Sequence, residues 1–296
     1  MKHTKEISYT HVRVRSFVAV AALMLFGCAS VSMAQTEFFK PEKMVETGVY
    51  YYPEAWNPEQ WDRDFKKIAD MGFEFTHMAE FAWAQLEPIE GQYDFKWLDK
   101  AVELAAKHNL KIILCTPSAT PPVWLTRKYP DILVEMASGQ SGQHGTREHY
   151  SWSSAKFREL TAKVVTAMAK HYANDKRIWG WQIDNEPSHY GTYDYSPGAQ
   201  ANFKVWLQKK YKTIENLNKA WGTPFWSGIY SDFSQIEIPN VGRQYSGTAS
   251  PTSLVDFKRF SADECAAFVS MQYNTLRETA STGSSPWIAM NSTSRK

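Results

Sequence analysis

The stretch Phe95–Pro117, FKWLDKAVELAAKHNLKIILCTP, predicts one helix followed directly by one strand. Its first half, up to Asn109, has the length and spacing of apolar residues that are typical of a helix. Its second half, from Leu110, is an apolar run that continues without interruption until Pro117. A helix that leads straight into a buried strand is typical of α/β proteins with a parallel sheet.

The same alternation extends along the chain in both directions. Further strands are predicted by TGVYYYP, FEFTHMAEF, RIWGWQIDNE and PWIAMN, and helices by PEQWDRDFKKIADMG and SAKFRELTAKVVTAMAKHYAN. Such a pattern fits either a closed (β/α)8 TIM barrel or an open doubly wound sheet. No glycine-rich phosphate-binding motif follows the first strand, which counts against a nucleotide-binding sheet.

Polar and aromatic residues are concentrated where the predicted strands end. They are Glu54, Trp56, Glu80, Trp83, Thr116, Trp124, Asn185 and Glu186. Barrel enzymes build their sites on the face where the carboxyl ends of the strands meet. We therefore expect a (β/α)8 TIM barrel, of which this chain supplies about strands 1–5. After Glu186 the pattern becomes less regular, with two helical segments, a polar linker and one long helix before the fifth strand.

The composition predicts a folded protein with a sizeable core, since 43% of the 296 residues are apolar and 15% are aromatic. Four of the 33 basic residues and one of the 31 acidic residues lie in the first 34 positions, which leaves a net charge of −1 for the remainder. That balance gives no indication of nucleic-acid binding. Cys115 and Cys265 lie in apolar segments, so buried thiols are expected rather than a disulfide.

Residues 1–34 have the pattern of a secretory signal, with basic residues before the apolar run SFVAVAALMLFG. Cleavage is expected before Gln35, which gives a mature domain of residues 35–296 in a secreted or periplasmic location. No membrane span is expected after this removal. Lipoprotein processing at Cys28 and an uncleaved apolar anchor are the alternatives.

The pair Asn185–Glu186 suggests chemistry on sugars. A carboxyl group against aromatic walls can hold a proton near neutral pH, as a general acid must. Asn185 offers an amide donor and acceptor to a hydroxyl group, and Arg147 could clamp a hydroxyl or a carboxylate. A solvated loop carboxylate at Glu186 and a surface ion pair at Arg147 are the simpler alternatives.

Other site chemistries find little support in the sequence. His77, His149 and His189 show no metal-binding spacing, and no serine-hydrolase elbow occurs. No metal and no cofactor are therefore expected. The tryptophans at the strand ends, together with Trp181, could line a sugar cleft, although most aromatic residues of such a chain belong to its core.

Five segments together resemble the glycoside hydrolase family 42 β-galactosidases. In order they are GVYYYPEAWNPEQWDRDFKKIADMGF, AEFAWAQLEPIEGQYDFKWLDKAV, ILCTPSATPPVWL, GWQIDNE and LNKAWGTPFWS. The resemblance implies a (β/α)8 barrel that cleaves terminal β-D-galactosides with retention. It places the acid/base glutamate on Glu186, a galactose-binding asparagine on Asn185 and a substrate-binding arginine on Arg147.

The chain departs from the family at its zinc site. Many members hold a structural zinc with four cysteines, and the matching positions here are Ser151, Asp194, Ser196 and Ala199. Since none of these is a cysteine, we predict that no zinc is bound.

A second departure concerns the catalytic nucleophile. Retention requires a second carboxylate about 5–5.5 Å from the acid/base, and the resemblance implies that it ends a seventh strand. No residue of this sequence matches it, so we expect a fragment or a truncated gene that, expressed alone, folds poorly and does not hydrolyse galactosides. The family's homo-oligomer is expected only for a full-length form. Another retaining β-glycosidase of the same clan, or a remnant without catalysis, are the alternatives.

Overall fold

The computed structural model describes residues 46–145, 147–189, 193–239, 250–280 and 287–290. The predicted signal, residues 1–34, and most of the predicted polar linker lie outside the described residues. The chain divides into residues 1–47 and residues 48–296, and all elements described below belong to the second of these units.

Five strands form one parallel sheet in the order in which they occur along the chain. They are β1 (Gly48–Tyr50), β2 (Phe75–Met78), β3 (Lys111–Cys115), β4 (Ile178–Ile183) and β5 (Trp287–Met290). Sequential parallel neighbours with helices between them are the arrangement of a (β/α)8 barrel wall. The described residues therefore confirm the predicted fold class, with part of a barrel present.

Helices occupy the connections between and after these strands. They are α1 (Pro58–Asp70), α2 (Trp83–Leu86), α3 (Lys96–Lys107), α4 (Val123–Lys128), α5 (Ala155–Tyr172), α6 (Pro197–Tyr211), α7 (Ile214–Trp221) and α8 (Pro251–Ala280). Short 3₁₀ turns follow several strands, among them Pro53–Ala55 after β1 and Pro117–Ala119 after β3.

Local sequence signals explain where the longer helices begin. Asn57 caps α1 by accepting a hydrogen bond from the amide of Glu59, and Pro58 occupies the first turn, where its missing N–H costs nothing. Ser154 caps α5 in the same way through the amide of Phe157. These caps place both helices in the register that buries their apolar faces.

The two faces of the sheet differ in burial. Along β2 and β3, Thr76, Met78, Ile112 and Leu114 are fully buried and alternate with half-buried neighbours. Met78, Ile112 and Leu114 belong to the main hydrophobic cluster, which also contains buried residues of α1, α3 and α5. The third strand is buried at Ile112, Leu114 and Cys115 but half-buried at Lys111 and Ile113, so the uninterrupted burial expected for it is wrong.

A second apolar cluster lies apart from the first and joins α6, α7 and α8. Its centre contains Phe203, Leu207, Leu217 and Phe257, all nearly inaccessible to solvent. The other end of α8 contributes Phe268 to the main cluster, so this helix ties the two clusters together. None of the described helices combines the length and apolarity needed to cross a membrane.

Candidate active site at the carboxyl ends of the strands

The chain turns sharply after β4, and this turn carries the Asp184–Asn185–Glu186 segment. Asp184 and Glu186 have backbone φ angles of 55° and 47°, values that residues other than glycine rarely adopt. Ala79 after β2 and Glu148 have φ angles of 71° and 59°. Such strained residues concentrate at functional sites, where surrounding contacts hold them in place.

Asp184 is the anchor of this turn. Its fully buried carboxylate accepts hydrogen bonds from Ser118 Oγ at 2.5 Å, from Tyr150 Oη at 3.1 Å and from the backbone amide of Asn185 at 2.6 Å. Thr116 Oγ1 in turn accepts the backbone N–H of Asp184 at 2.8 Å. Burial raises the pKa of Asp184, while the bonds from Ser118 and Asn185 oppose that shift.

Glu186 and Arg147 form an ion pair at the open side of the turn. Arg147 Nη2 lies 3.1 Å from Glu186 Oε2, and 45% of the Glu186 side chain is exposed. The aromatic walls expected around Glu186 are therefore not closed around it by the residues that the structure describes. Its carboxyl group can instead meet a ligand directly from solvent.

Asn185 is buried beside this pair and connects Arg147 to Glu80 at the end of β2. The amide orientation that satisfies both neighbours directs its nitrogen to Glu80 Oε1 at 2.8 Å. In the same orientation its oxygen accepts a hydrogen bond from Arg147 Nη1 at 2.5 Å. The three residues predicted as a site, Arg147, Asn185 and Glu186, are thus brought together by the fold.

Glu80 is the acceptor at the centre of a buried polar network. Tyr52 Oη donates to its Oε2 at 2.9 Å, and Gln182 Nε2 donates to its Oε1 at 2.9 Å. The oxygen of Gln182 accepts from Tyr50 Oη at 3.0 Å and lies 3.0 Å from Nδ1 of His77. Burial raises the pKa of Glu80, against the opposing effect of the two hydrogen bonds it accepts.

Two more carboxyl groups lie buried near the site. Burial raises the pKa of Glu148 to about 7, and the nearby charge of Asp184 adds to the shift. Burial also raises the pKa of Glu54 to about 7, with a smaller contribution from Glu80. Neither oxygen of Glu54 meets a hydrogen-bond partner outside its own residue among the described residues. Both groups can therefore exchange a proton near neutral pH.

The tryptophans considered for a sugar cleft fall into two groups. Trp83 is fully buried and donates to Glu87 Oε2 at 2.7 Å, and Trp181 is almost fully buried in the main cluster. Trp124 packs against the same cluster, whereas 55% of Trp56 is exposed beside the end of β1. Trp83 and Trp181 are therefore core residues, Trp124 is half-buried, and Trp56 keeps the largest surface that a ligand could cover among these four tryptophans.

The four positions that match the family's zinc cysteines come together as a hydrogen-bonded cluster. Ser151 Oγ donates to Asp194 Oδ2 at 2.5 Å and lies 3.2 Å from Ser196 Oγ. Ser196 donates its backbone N–H to Asp194 Oδ1 at 2.9 Å, and its hydroxyl accepts the N–H of Ala199 at 3.2 Å. These donors and acceptors satisfy one another. Hydrogen bonds therefore join the chain segments that a zinc ion would join through four cysteines.

Metal binding by other residues finds no support in the described ranges, where no three His, Cys, Asp or Glu side chains are placed to share an ion. That the whole chain binds no zinc remains a prediction. Both Cys115 and Cys265 are free thiols; Cys115 is buried as expected, whereas Cys265 is only half-buried.

Comparison with known proteins adds independent findings to this geometry. The sequence model of glycoside hydrolase family 42, described as β-galactosidase, matches residues 50–292. The chain belongs to this family.

Curated β-galactosidases share about two fifths of the aligned residues with this chain. The β-galactosidase BgaA of Clostridium cellulovorans is 41% identical over 231 residues, which are 78% of this chain and 34% of the relative. A β-galactosidase of Thermus thermophilus is 41% identical over 234 residues, again 78% of this chain and 35% of the relative. The chain thus spans about a third of the length of these relatives.

Solved structures of β-galactosidases share the fold. The β-galactosidase of the psychrophilic Marinomonas ef1 superimposes with a TM-score of 0.77 at 36% identity, over 83% of this chain and 37% of that one. The enzyme of the Antarctic haloarchaeon Halorubrum lacusprofundi gives a TM-score of 0.77 at 37% identity, over 83% of this chain and 36% of that one. The likeness extends over most of the chain.

Sequence reasoning missed several residues of the site. Asp184 was passed over although it lies in the same strand ending, DNE, as the predicted pair. Glu148 and Tyr52 were also missed, although each is next to a residue or segment that was considered. An acidic residue within a strongly apolar strand ending is the signal that could have indicated Asp184, since such a residue must find buried partners.

Proposed function

We propose that this chain supplies the acid/base and galactose-binding part of a retaining β-galactosidase, with Glu186 as the acid/base. The observation that carries the proposal is the open carboxyl group of Glu186 beside Arg147 and the buried Asn185. The names of the family 42 relatives supply the substrate class. Asn185 and Arg147 are proposed to bind the hydroxyl groups of galactose.

The chemistry asked of Glu186 has two steps. Its protonated carboxyl donates to the glycosidic oxygen as the bond to the anomeric carbon breaks, and its carboxylate later accepts a proton from the water that releases galactose. An exposed side chain at a fixed backbone turn suits both steps, because sugar and water reach it in succession. Asn185, held between Glu80 and Arg147, keeps one amide hydrogen and one oxygen lone pair for the sugar.

The nucleophile must come from another carboxylate. Glu80 and Glu148 lie near enough to Glu186 for its charge to raise their pKa, yet these residues are only 2% and 3% exposed. Neither can attack an anomeric carbon without leaving its buried position. We therefore propose that the described part of the chain binds galactosides without hydrolysing them, and that hydrolysis needs the carboxylate that the family resemblance assigns to a seventh strand.

Two measurements on the full chain test this proposal. Calorimetry should detect galactose binding to the full chain, and the Arg147→Ala variant should lose this binding. A nitrophenyl β-galactoside should not be hydrolysed. Hydrolysis that disappears on Glu186→Gln would show that the chain contains its own nucleophile and would refute the division of roles.

A joined enzyme gives the complementary test. This joined enzyme consists of residues 48–290 followed by the remainder of the Thermus thermophilus β-galactosidase. It should hydrolyse nitrophenyl β-galactoside with retention, as seen from the first anomer of galactose in proton NMR. A panel of galactosides, arabinopyranosides and agarose fragments should favour the galactosides, which separates β-galactosidase from the related clan activities. An inactive joined enzyme that still binds galactose would favour a sugar-binding role.

We also propose that the chain is exported through residues 1–34. The basic residues followed by an apolar run and small residues support this. Sequencing of the exported protein should find Gln35 at its amino terminus. An amino-terminal, lipid-modified Cys28 would instead establish the lipoprotein alternative.

A further inference from the structure

The amide of Asn185 lies in a row between two groups of opposite charge. On one side Glu80 Oε1 can only accept a hydrogen bond when ionised, and on the other Arg147 Nη1 can only donate one. In the orientation that satisfies both neighbours, the amide nitrogen is 2.8 Å from Glu80 Oε1 and the amide oxygen 2.5 Å from Arg147 Nη1. If the Asn185 amide were turned by 180°, its oxygen would face the Glu80 carboxylate, and its nitrogen would face the Arg147 guanidinium.

From this row we propose that Glu80 is a positioning residue, which fixes the orientation of the Asn185 amide and so decides which of its atoms a galactoside meets. The inference rests on the proposed function for the identity of the ligand. Glu80 itself does not touch the substrate, because it is only 2% exposed.

Glu80 can impose this orientation because it is itself held on both oxygens. Tyr52 Oη bonds its Oε2, while Gln182 Nε2 shares its Oε1 with Asn185. Gln182 is held in turn, because its oxygen faces Tyr50 Oη at 3.0 Å and its nitrogen also donates to the carbonyl of Asp184 at 3.1 Å. Charge-assisted bonds of this kind are stronger than bonds between neutral groups.

Two substitutions of Glu80 distinguish the effect of its hydrogen-bond acceptor oxygens from the effect of its charge. Glu80→Met keeps the length of the side chain but removes every acceptor, so the Asn185 amide can turn. Glu80→Gln keeps an oxygen that Gln182 and Asn185 can share, and its new amide can donate to Tyr52. We therefore expect the methionine to disturb the site much more than the glutamine.

The chain offers a matched control in Glu87. It is also 2% exposed, and its carboxylate accepts from Trp83 Nε1 and from the backbone amide of Gly91, each at 2.7 Å. Burial raises its pKa, as it does for Glu80. Neither of these hydrogen bonds involves Asn185, so Glu87→Met removes a comparable buried acceptor without altering the row.

Galactose affinity of the full chain is the first readout, measured by calorimetry. Glu80→Met should weaken binding about tenfold, as expected for one lost oriented hydrogen bond. Glu80→Gln should stay within about threefold of the unaltered chain, and Glu87→Met should bind normally. Equal affinities in Glu80→Met and Glu87→Met would overturn the proposal.

A melting cycle tests the same contact without any sugar. Melting temperatures are compared for Glu80→Met, Asn185→Ala and the double variant, and for the corresponding set with Glu87→Met. The shifts should be non-additive only in the set with Glu80, because contacting residues couple and separate ones do not. Additive shifts in both sets would refute the positioning role.

The two readouts distinguish the two proposals. Coupled melting in a chain that does not bind galactose would support the role of Glu80 and refute the proposed function. Normal galactose binding with uncoupled melting would do the reverse. If Glu80→Met does not melt cooperatively, Glu80→Asp replaces it, since the shorter side chain withdraws the carboxylate from Asn185 while preserving its charge.

Discussion

Two glutamates flank Asn185, and the fold treats them in opposite ways. Glu186 keeps 45% of its side chain exposed and has Arg147 as its ion-pair partner at 3.1 Å. Glu80 is almost completely buried and accepts three hydrogen bonds. Both follow a strand of the same sheet, so position along the chain does not explain the difference.

The difference teaches how the work of a site can be divided between carboxyl groups. A buried carboxylate that accepts hydrogen bonds on both oxygens holds its neighbours in one geometry but cannot reach a substrate. An open group at a strained turn can reach a substrate but depends on its neighbours for position. Asp184 belongs to the buried, hydrogen-bonded kind and Glu186 to the open kind, whereas Glu148 is buried although its Oε1 meets no hydrogen-bond partner among the described residues.

The largest expected effect of breaking this division concerns turnover. In the joined enzyme, Glu186→Gln should lower kcat for an unactivated galactoside about 10³-fold, the usual scale of general acid–base catalysis. Azide should restore turnover of an activated galactoside and give β-galactosyl azide, because the small anion needs no base. Glu80→Met should instead raise KM and gain nothing from azide. Azide rescue of Glu80→Met would contradict the division.

Stability should follow the opposite order. Asp184→Ala should lower the free energy of unfolding by about 3 kcal/mol, because Ser118 and Tyr150 lose a buried acceptor. Glu186→Ala should cost no more than about 1 kcal/mol, since an exposed ion pair contributes little. Urea unfolding of the full chain measures both. A larger loss for Glu186→Ala would show that the exposed ion pair carries the turn.

The cluster around Asp194 tests whether buried carboxylates support the fold away from the strand ends as well. Asp194→Ala should cost about 2 kcal/mol, because Ser151 and the amide of Ser196 lose their acceptor. Val205→Ala, at an exposed position of α6, is the matched control and should change little. Similar melting of the two variants would mean that the cluster contributes no stability.

The smallest effect is a dependence of stability on pH. The pKa of Glu148 is raised to about 7 by burial, so its neutral form is the one the fold favours. The stability that protonated Glu148 contributes is complete below the pKa that this residue has in the unfolded chain, and it is lost as the pH rises through about 7. The full chain should lose on the order of 1 kcal/mol more than Glu148→Gln between about pH 4 and pH 7. Parallel pH profiles of the two proteins would contradict this.

The sequence was a good guide to the strands and to part of the site. The alternation of apolar runs and helices predicted all five described strands, with differences of a few residues at their ends. For β2 the run suggested Phe73–Phe81, whereas the strand ends at Met78 because Ala79 turns the chain with a φ of 71°. Hydrophobicity cannot show such a turn, since it depends on contacts made later in the chain.

Some parts of the site could not be predicted from the sequence for the same reason. Glu54 and Glu80 look equivalent in the sequence, since each is a glutamate that follows a predicted strand. The structure gives Glu80 three donors from residues up to 105 positions away, and leaves both oxygens of Glu54 without a partner beyond its own residue among the described residues. Which carboxyl group is satisfied depends on distant side chains that only the folded sheet brings close.

By itself the sequence determined the α/β alternation, the strand ends as the location of the site, and the family resemblance that names Arg147, Asn185 and Glu186. These follow from local patterns, because periodicity and short motifs are written along the chain. Only the tertiary structure decided that Glu186 is open, that Glu80 is closed and oriented toward Asn185, and that Trp83 and Trp181 are core. Burial and hydrogen-bond partners are set by packing between distant segments, and packing is what distinguishes chemically identical side chains.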